Sequence, residues 1–103
     1  MEYINKIEIG GQIGYIALSP EYFNMSVCTQ ETFKDLKGNN IIQITWHSVR
    51  GIYTESITKD LLEKFQKGSF IYVCGSIKEQ RYTDADGKVR STYYIFPKSI
   101  KVL

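Results

Sequence analysis

Residues 57–69, ITKDLLEKFQKGS, decide the fold, because no other stretch of this 103-residue chain has the apolar spacing of a helix. Thr58 is a suitable N-cap, since its hydroxyl can accept a hydrogen bond from a free backbone N–H in the first turn. Three apolar side chains recur at helical spacing on one face: Leu61, Leu62 and Phe65. Gly68 is placed to end the helix. The sequence therefore predicts a single helix over residues 58–67.

Five other segments have the composition and alternation of β-strands. They cover residues 7–15, 22–33, 41–49, 69–80 and 90–96, and the last continues loosely to residue 102. Four side chains of the first segment share one phase and are expected on one face: Ile7, Ile9, Ile13 and Tyr15. Glycines interrupt this segment, and a glycine inside a strand often marks a bulge or a tight bend. A hairpin tip is expected at residues 84–87.

Three strands, one helix and two further strands follow the order of an OB-fold, with the helix between strands three and four. We therefore predict an all-β chain, a five-stranded OB-fold Greek-key barrel with one short helix between strands three and four. Residues 1–103 are expected to form a single OB-fold nucleic-acid-binding domain, since the length suits one domain. An SH3-like barrel is the main structural alternative, but it does not normally carry a full helix there.

The composition is that of a globular protein, with 43% apolar and 23% charged residues. The net charge of +2 gives only weak support for a polyanionic partner. Its distribution is more informative. Residues 1–50 hold four basic and five acidic side chains, whereas residues 51–103 hold nine basic and six acidic ones. A phosphate-binding surface is therefore expected to draw on the second half of the chain.

Several classes of protein are not supported by the sequence. No apolar run would span a bilayer and the N-terminus does not resemble a signal peptide, so a cytoplasmic protein without a membrane partner is expected. Cys28 and Cys74 lie in apolar patterns without a CxxC spacing and are expected to be buried free thiols. His47 alone cannot complete a zinc site with them. No metal set, triad or phosphate loop is present, so neither a cofactor nor enzymatic activity is predicted.

Aromatic and basic side chains stand close together in the predicted strands and hairpins, as in Phe33-Lys34, around Trp46 and in Arg81-Tyr82. An aromatic ring offers a face on which any base can stack, and a neighbouring Lys or Arg can reach the phosphate. The pattern indicates a groove for single-stranded nucleic acid. Aromatic residues are also common in ordinary strands. Each ring therefore has a structural alternative: Trp46 as a core residue, Tyr82 as a cross-strand partner and Phe33 as a cap on the barrel end.

Five short motifs in order resemble bacterial-type single-stranded DNA-binding proteins: Asn5-Lys6-Ile7, Trp46-His47, Lys67-Gly68-Ser69, Val73-x-Gly75 and Tyr82-Thr83-Asp84-x-Asp86-Gly87. The resemblance extends from about Asn5 to Leu103. It implies a non-enzymatic OB-fold protein that binds single-stranded DNA with little sequence preference. Such proteins protect single strands during replication, recombination or repair. In a bacterium, the chain would be associated with the nucleoid.

The resemblance also assigns residues. It implies base stacking on three aromatic side chains: Phe33, Trp46 and Tyr82. Ile52 occupies a further position that is customarily aromatic, so Tyr53 beside it is included as a shifted platform. Phosphate contacts are implied for Lys67 and Arg81. Further basic residues are included for their chemistry and proximity: Lys34, Lys78, Lys88 and Arg90. We assign Tyr72, Tyr93 and Phe96 to the core or an interface.

The family forms homo-oligomers, usually tetramers built as dimers of dimers. The resemblance places four residues at or near subunit contacts: Asn5, Lys6, Ile7 and His47. The family usually carries an acidic C-terminal tail that recruits other proteins. No acidic run follows Pro97, so tail-mediated partners are not expected for this sequence. Two alternatives remain at this stage: a tailless primosomal accessory OB-fold protein, and an OB-fold scaffold that binds protein.

Overall fold

A computed structural model describes all residues 1–103 and contains five strands and one helix. The elements in chain order are β1 (Ile7–Leu18), β2 (Tyr22–Lys34), β3 (Asn40–Ile52), α1 (Lys59–Glu63), β4 (Phe70–Thr83) and β5 (Val89–Val102). The strands close a barrel in the order β1-β2-β3-β5-β4. Neighbouring strands are antiparallel except β3 and β5, which meet in parallel at Val49 and Ile95. This confirms the predicted OB-fold barrel with its helix between the third and fourth strands.

One apolar core fills the barrel, and the alternation of side chains along the strands builds it. On β2, Phe23, Met25 and Val27 are fully buried while the residues between them are not. The helical segment adds three side chains to this core: Ile57, Leu62 and Phe65. Full burial of such a side chain stabilises a protein by roughly 1.5–3 kcal/mol. The helix is too short to form alone, so this packing holds it in place.

The helix begins where the sequence predicts but ends at Glu63 instead of Lys67. Thr58 caps it, since its hydroxyl accepts a hydrogen bond from the backbone N–H of Leu61 at 3.1 Å. Beyond Glu63 the chain tightens into turns, because the N–H of Phe65 donates to the carbonyl of Leu62, three residues earlier. Periodicity alone does not show where such tightening starts.

A register shift in β1 corrects the expected position of Tyr15. The pairing of β1 with β2 is interrupted between Ile13 and Tyr15, so the two side chains no longer share a face. Ile13 is buried, whereas Tyr15 is 54% exposed. A β-bulge has this effect because it inserts one unpaired residue into one strand. The bulge places Gly14 next to Trp46.

The two cysteines are free thiols, and both are half-buried where full burial was expected. Cys28 lies on β2 and Cys74 on β4, and β1 separates these two strands in the barrel. The two cysteines therefore do not lie on adjacent strands, and no disulfide joins them. The helix of the chain is not long and apolar enough to cross a membrane.

Candidate nucleic-acid interface

Two hairpins extend past the core, and their outer halves are exposed to solvent. β2 and β3 pair continuously out to Lys34 and Asn40, and β4 and β5 pair out to Thr83 and Val89. No residue of 30–40 or 85–91 is buried. The hairpins carry eight of the ten residues predicted to contact DNA, all except Tyr53 and Lys67. The barrel thus presents these side chains on two ordered β-arms.

Both hairpin tips are built by the same device, an aspartate that accepts backbone hydrogen bonds. Asp35 accepts from the N–H groups of Lys37 and Asn39, each at 2.9 Å. Asp84 accepts from the N–H groups of Asp86 and Lys88, also at 2.9 Å. In each turn a glycine adopts positive φ: 85° for Gly38 and 80° for Gly87. Since glycine has no Cβ, it adopts this conformation without strain.

The carboxylates of both tips stay ionised at neutral pH. Hydrogen bonding to the backbone of Asn39 is the main reason that the pKa of Asp35 lies below its usual value. For Asp84, the side chain of Arg90 lowers the pKa most, followed by the backbone of Lys88. Hydrogen bonds of this kind favour the charged form of the carboxylate. The tips are therefore fixed in shape over the physiological range.

Trp46 lies outside the core, which excludes the alternative that it is a core residue. Its side chain is 59% exposed. The indole lies over Gly14, because a Cβ built on that glycine would overlap the ring. The backbone N–H of Tyr15 donates to Ser26 Oγ at 3.1 Å, which fixes the bulge beneath the ring. The bulge in β1 thus leaves room for the one tryptophan of the chain to contact the backbone at Gly14.

Phe33 and Tyr82 are also about half exposed, at 47% and 49%. They do not form one cluster with Trp46. Phe33 pairs with Ile41 near the tip of the first hairpin, whereas Trp46 pairs with Cys28 closer to the barrel. Phe33 and Cys28 are an odd number of residues apart on β2, so Phe33 and Trp46 lie on opposite faces of this ladder. The three rings are therefore distributed along two arms.

The register of the second hairpin divides its predicted basic residues between two faces. Tyr82 pairs with Arg90, and Lys78 is two pairs away on the same face of the β4–β5 ladder. Arg81 lies on the opposite face, because successive strand residues alternate. Its Nε donates to Glu79 Oε1 at 2.7 Å. The sequence predicts these residues as one group of phosphate contacts, and the register separates them between the two faces.

Two of the predicted arginines already have carboxylate partners. Arg81 is paired with Glu79, and the hydrogen bond from Arg81 is the main cause that lowers the pKa of that carboxyl group. Arg90 Nε donates to Asp84 Oδ2 at 2.5 Å. Both arginines are exposed, and exposed ion pairs contribute little to stability. Each guanidinium retains N–H donors beyond the Nε–H that makes the recorded bond.

Tyr53 does not offer the stacking face expected of it. Its ring packs against Phe23 at a centroid distance of 5.6 Å, and its hydroxyl donates to the carbonyl of Ser19 at 2.8 Å. Burial raises the pKa of Tyr53, with a smaller contribution from Glu63. Ile52, the last residue of β3, is exposed. The structure argues against this prediction, since Tyr53 belongs to the periphery of the core.

The remaining predicted lysines are exposed, but they lie apart. Lys34 ends β2, and Lys88 follows the second hairpin tip. Lys67 precedes Gly68, whose N–H donates to the carbonyl of Ile13 at 2.8 Å. That bond attaches the turn to β1, one residue before the glycine beneath Trp46. Lys67 is thus tied to the β1 bulge, while the other two lie toward the hairpin tips.

Three of the four residues predicted at subunit contacts lie at or just before the start of β1, along one edge of the barrel: Asn5, Lys6 and Ile7. β1 pairs with β4 from Ile7 onward, but its pairing with β2 begins only at Gln12. Residues 7–11 therefore have an unpaired edge on the β2 side. Asn5 continues the β4 pairing with its side chain, since Nδ2 donates to the carbonyl of Ile77 at 2.8 Å and Oδ1 accepts from the Ile77 N–H. Lys6 is paired with Glu8 at 3.2 Å.

His47 is half-buried on the inner side of β3. Its Nε2 is hydrogen-bonded to Thr29 Oγ1 at 2.8 Å, across the β2–β3 ladder. This bond gives His47 a structural contact within the chain.

Sequence reasoning missed one cluster on the outer surface. The guanidinium carbon of Arg50 lies 5.4 Å from the ring centroid of Tyr94, and Lys78 Nζ lies 5.3 Å from that of Phe96. Arg50 belongs to β3 and Tyr94 to β5, 44 residues apart in the chain. The parallel contact between β3 and β5 brings the two side chains together, and no local sequence pattern predicts that contact.

A five-stranded OB-fold barrel with exposed rings on two arms defines a class of small β-barrel binding proteins. Within that class, the chain belongs to the single-strand binding protein family, whose model matches residues 5–103. The match confirms the resemblance drawn from the five motifs.

Curated relatives are similar over nearly the whole chain. Single-stranded DNA-binding protein 1 of Xylella fastidiosa is 30% identical over 110 residues, covering 100% of this chain and 79% of the relative. A single-stranded DNA-binding protein of Neisseria meningitidis is 27% identical over 106 residues, covering 97% of this chain. The chain spans 60% of the length of that second protein.

Solved structures share the fold. A Plasmodium falciparum SSB in complex with ssDNA has a TM-score of 0.84 at 22% identity, covering 100% of this chain and 97% of that chain. The single-stranded DNA-binding protein of Thermus aquaticus has a TM-score of 0.78 at 18% identity, covering 97% of this chain and 50% of that one. At these identities the likeness supports the fold alone.

Proposed function

We propose that this protein binds single-stranded DNA with little sequence preference and protects it during replication, recombination or repair. The observation that carries the proposal is Trp46, an exposed indole on β3 that reaches across β2 and contacts Gly14 of β1. Membership of the single-strand binding protein family supports it. The proposed role is binding without catalysis, in the cytoplasm and in association with the nucleoid.

The mechanism combines stacking with charge. Unpaired bases stack on three rings: Phe33, Trp46 and Tyr82. Each stacked base contributes roughly 1–3 kcal/mol, and every base has a face to offer. Lysines and arginines attract the phosphates and release counterions as the strand binds. The proposed phosphate contacts are Lys34, Lys67, Lys78, Lys88 and Arg90. Arg81 lies on the other face of the second hairpin and can contact DNA only on that face.

Duplex DNA should bind much more weakly, because its base faces are already stacked. We expect oligo-dT to quench the fluorescence of Trp46, the only tryptophan. A duplex of equal length should quench it little at the same moderate salt concentration. A titration of both ligands at two salt concentrations measures the preference. Equal affinity for the two ligands would contradict the proposal.

A protein-binding scaffold is the second candidate, and one observation favours it. Ile42 and Ile44 are exposed beside Trp46 in the same phase of β3, and they form an apolar stripe. Phosphate binding weakens steeply as salt rises, whereas apolar docking does not. The salt dependence measured in the same titration therefore separates the two candidates.

We further propose a homo-oligomer, built first as a dimer through the unpaired edge of β1 at residues 7–11. An open edge pairs readily with a second copy of itself, and a two-fold axis satisfies both edges at once. The contact would include Asn5, Lys6 and Ile7, with His47 near it, and two dimers would form a tetramer. Sedimentation at micromolar concentration should give a dimer or tetramer mass. A monomer mass would contradict this assembly.

A further inference from the structure

The second hairpin has one face on which aromatic and cationic side chains alternate. In the β4–β5 register this face presents the pairs Tyr82–Arg90, Gln80–Thr92, Lys78–Tyr94 and Ser76–Phe96. None of these eight residues is acidic. The opposite face carries Glu79, which is bonded to both Arg81 and the hydroxyl of Tyr93. The two faces of the hairpin therefore differ in charge and in the freedom of their rings.

Arg50 joins this face from β3. Its Nη1 donates to Gln80 Oε1 at 2.8 Å, and its guanidinium carbon lies 5.4 Å from the ring centroid of Tyr94. Guanidinium groups over aromatic rings are attracted by the ring quadrupole. The bond to Gln80 leaves four further N–H donors on the guanidinium. Arg50 is thus held in place and still has donors for an anion.

The same face is concave on either side of Phe96. A pocket of about 370 Å³ lies between β3 and the hairpin and is lined by Arg50, Ile52, Gln80 and Tyr94, with Glu79, the carboxylate bonded to Arg81 and Tyr93, also at its wall. A second pocket, of about 840 Å³, shares Phe96 and is surrounded by Lys6, Lys78 and Lys98 without any acidic side chain. Lys78 Nζ lies 5.3 Å from the ring centroid of Phe96, at the junction of the two.

We propose that this face is a track for single-stranded nucleic acid in which Arg50 and Tyr94 form one base-and-phosphate subsite, with Lys78 and Phe96 beside it. The inference rests on the proposed function. A base stacks on Arg50 or on the ring of Tyr94 beside it, since Arg planes and aromatic rings both accept unpaired bases. Arg50 and Lys78 meet the adjacent phosphates. The track continues outward to Tyr82 and Arg90 on the same face.

The track also replaces a missing platform. Ile52 occupies a position that was expected to be aromatic, and Tyr53 turns inward to Phe23. Tyr94 and Arg50 line the same pocket as Ile52. They therefore supply, from β5 and β3, the planar groups that Ile52 does not. Phe96 is assigned to this surface, in place of the core or interface expected from its alternation.

The test compares two adjacent tyrosines on opposite faces of one strand. Tyr94→Ile should weaken binding of labelled oligo-dT about 5- to 150-fold, the range expected for one lost stacking support. Tyr93→Ile removes an equal ring from the face that carries Glu79 and should bind within about twofold of the wild type. Arg50→Gln should lower the magnitude of the slope of log affinity against log salt by about 0.7, the value for one phosphate contact. Thermal melting of each variant, measured beside the titrations, shows that it remains folded.

Three results are decisive. If Tyr94→Ile and Arg50→Gln both bind like the wild type, the subsite does not exist. If Tyr93→Ile loses as much affinity as Tyr94→Ile, the assignment to one face is wrong. Both results leave the proposed function intact, because Trp46 would still be quenched by oligo-dT. Failure of the wild type itself to bind or to quench would instead overturn the proposed function.

Discussion

Replacing Trp46 with alanine is expected to weaken binding of oligo-dT about 5- to 150-fold. This range corresponds to the roughly 1–3 kcal/mol that one stacked base contributes. Trp46 should contribute the most to the binding free energy, because it has the largest ring of the three proposed platforms and is more exposed than Phe33 or Tyr82. The anisotropy of fluorescein-labelled oligo-dT measures the change, since the variant has no tryptophan left to report it.

Gly14→Ala tests the same platform without removing an aromatic atom. Its new Cβ would overlap the indole of Trp46 and approach Ser26 Oγ at 2.8 Å, so the ring must move. Gly10→Ala is the matched control on the same strand, because its Cβ would meet only the flexible end of Leu103 at 3.3 Å. Gly10 lies in the proposed dimer contact, so sedimentation must first show that this variant keeps the wild-type mass. We expect Gly14→Ala to lose affinity and Gly10→Ala to retain it.

Tyr3→Ala is a second control, since Tyr3 is an exposed ring in the N-terminal segment, outside the proposed site. It should bind like the wild type, which would show that the loss is specific to Trp46. If Trp46→Ala binds within about twofold of the wild type, Trp46 is not a stacking platform.

The order of the elements could be read from the sequence because burial on one side of a strand leaves a period of two. Phe23, Met25 and Val27 show this clearly, since all three are buried in one phase. The phase of Tyr15 could not be read in the same way. Several glycines lie in β1, and the sequence does not say which of them takes the bulge. Only the pairing with β2 decides that Tyr15 turns outward.

The candidate site was predicted in part. The five motifs pointed to Trp46 and Tyr82, and both rings are exposed on the arms. Tyr53 follows the end of β3 and turns toward Phe23, so it does not share the exposed position of its sequence neighbour Ile52. The pair of Arg50 and Tyr94 was missed because it depends on a parallel contact between β3 and β5, which rests on a single registered pair.

The grouping of the charged residues on the second hairpin could not be predicted from the sequence either. Arg81 stands next to Tyr82 in the sequence, which suggested a shared contact with one strand. The ladder places them on opposite faces, and Glu79 occupies the Nε–H of Arg81. Lys78 and Arg90 are more distant in sequence, but they share the face of Tyr82. Cross-strand register, rather than sequence adjacency, thus decides which cations can serve one bound strand.

Gly75→Ala is expected to cause a large loss of stability while leaving the fluorescent reporter untouched. A Cβ at Gly75 would collide with the backbone of Phe96 and Pro97, where β4 and β5 shift register. Overpacking costs about 1–3 kcal/mol and occasionally more. Here the upper end applies, because backbone atoms on β5 cannot move without breaking the ladder.

The collision involves the backbone of Phe96 and Pro97, next to Ile95 on β5. Ile95 pairs with Val49 of β3 and so closes the barrel. A loss of about 3 kcal/mol lowers the melting temperature of a domain of this size by roughly 12–24 °C. Trp46 fluorescence can follow thermal unfolding, with Gly10→Ala as the control that should melt close to the wild type. All samples need the same protein concentration, since subunit association shifts the apparent melting temperature. A melting temperature for Gly75→Ala within a few degrees of the control would mean that the backbone of β5 can shift at this bulge. The bulge would then not fix the position of Tyr94 and Phe96 on the outer face.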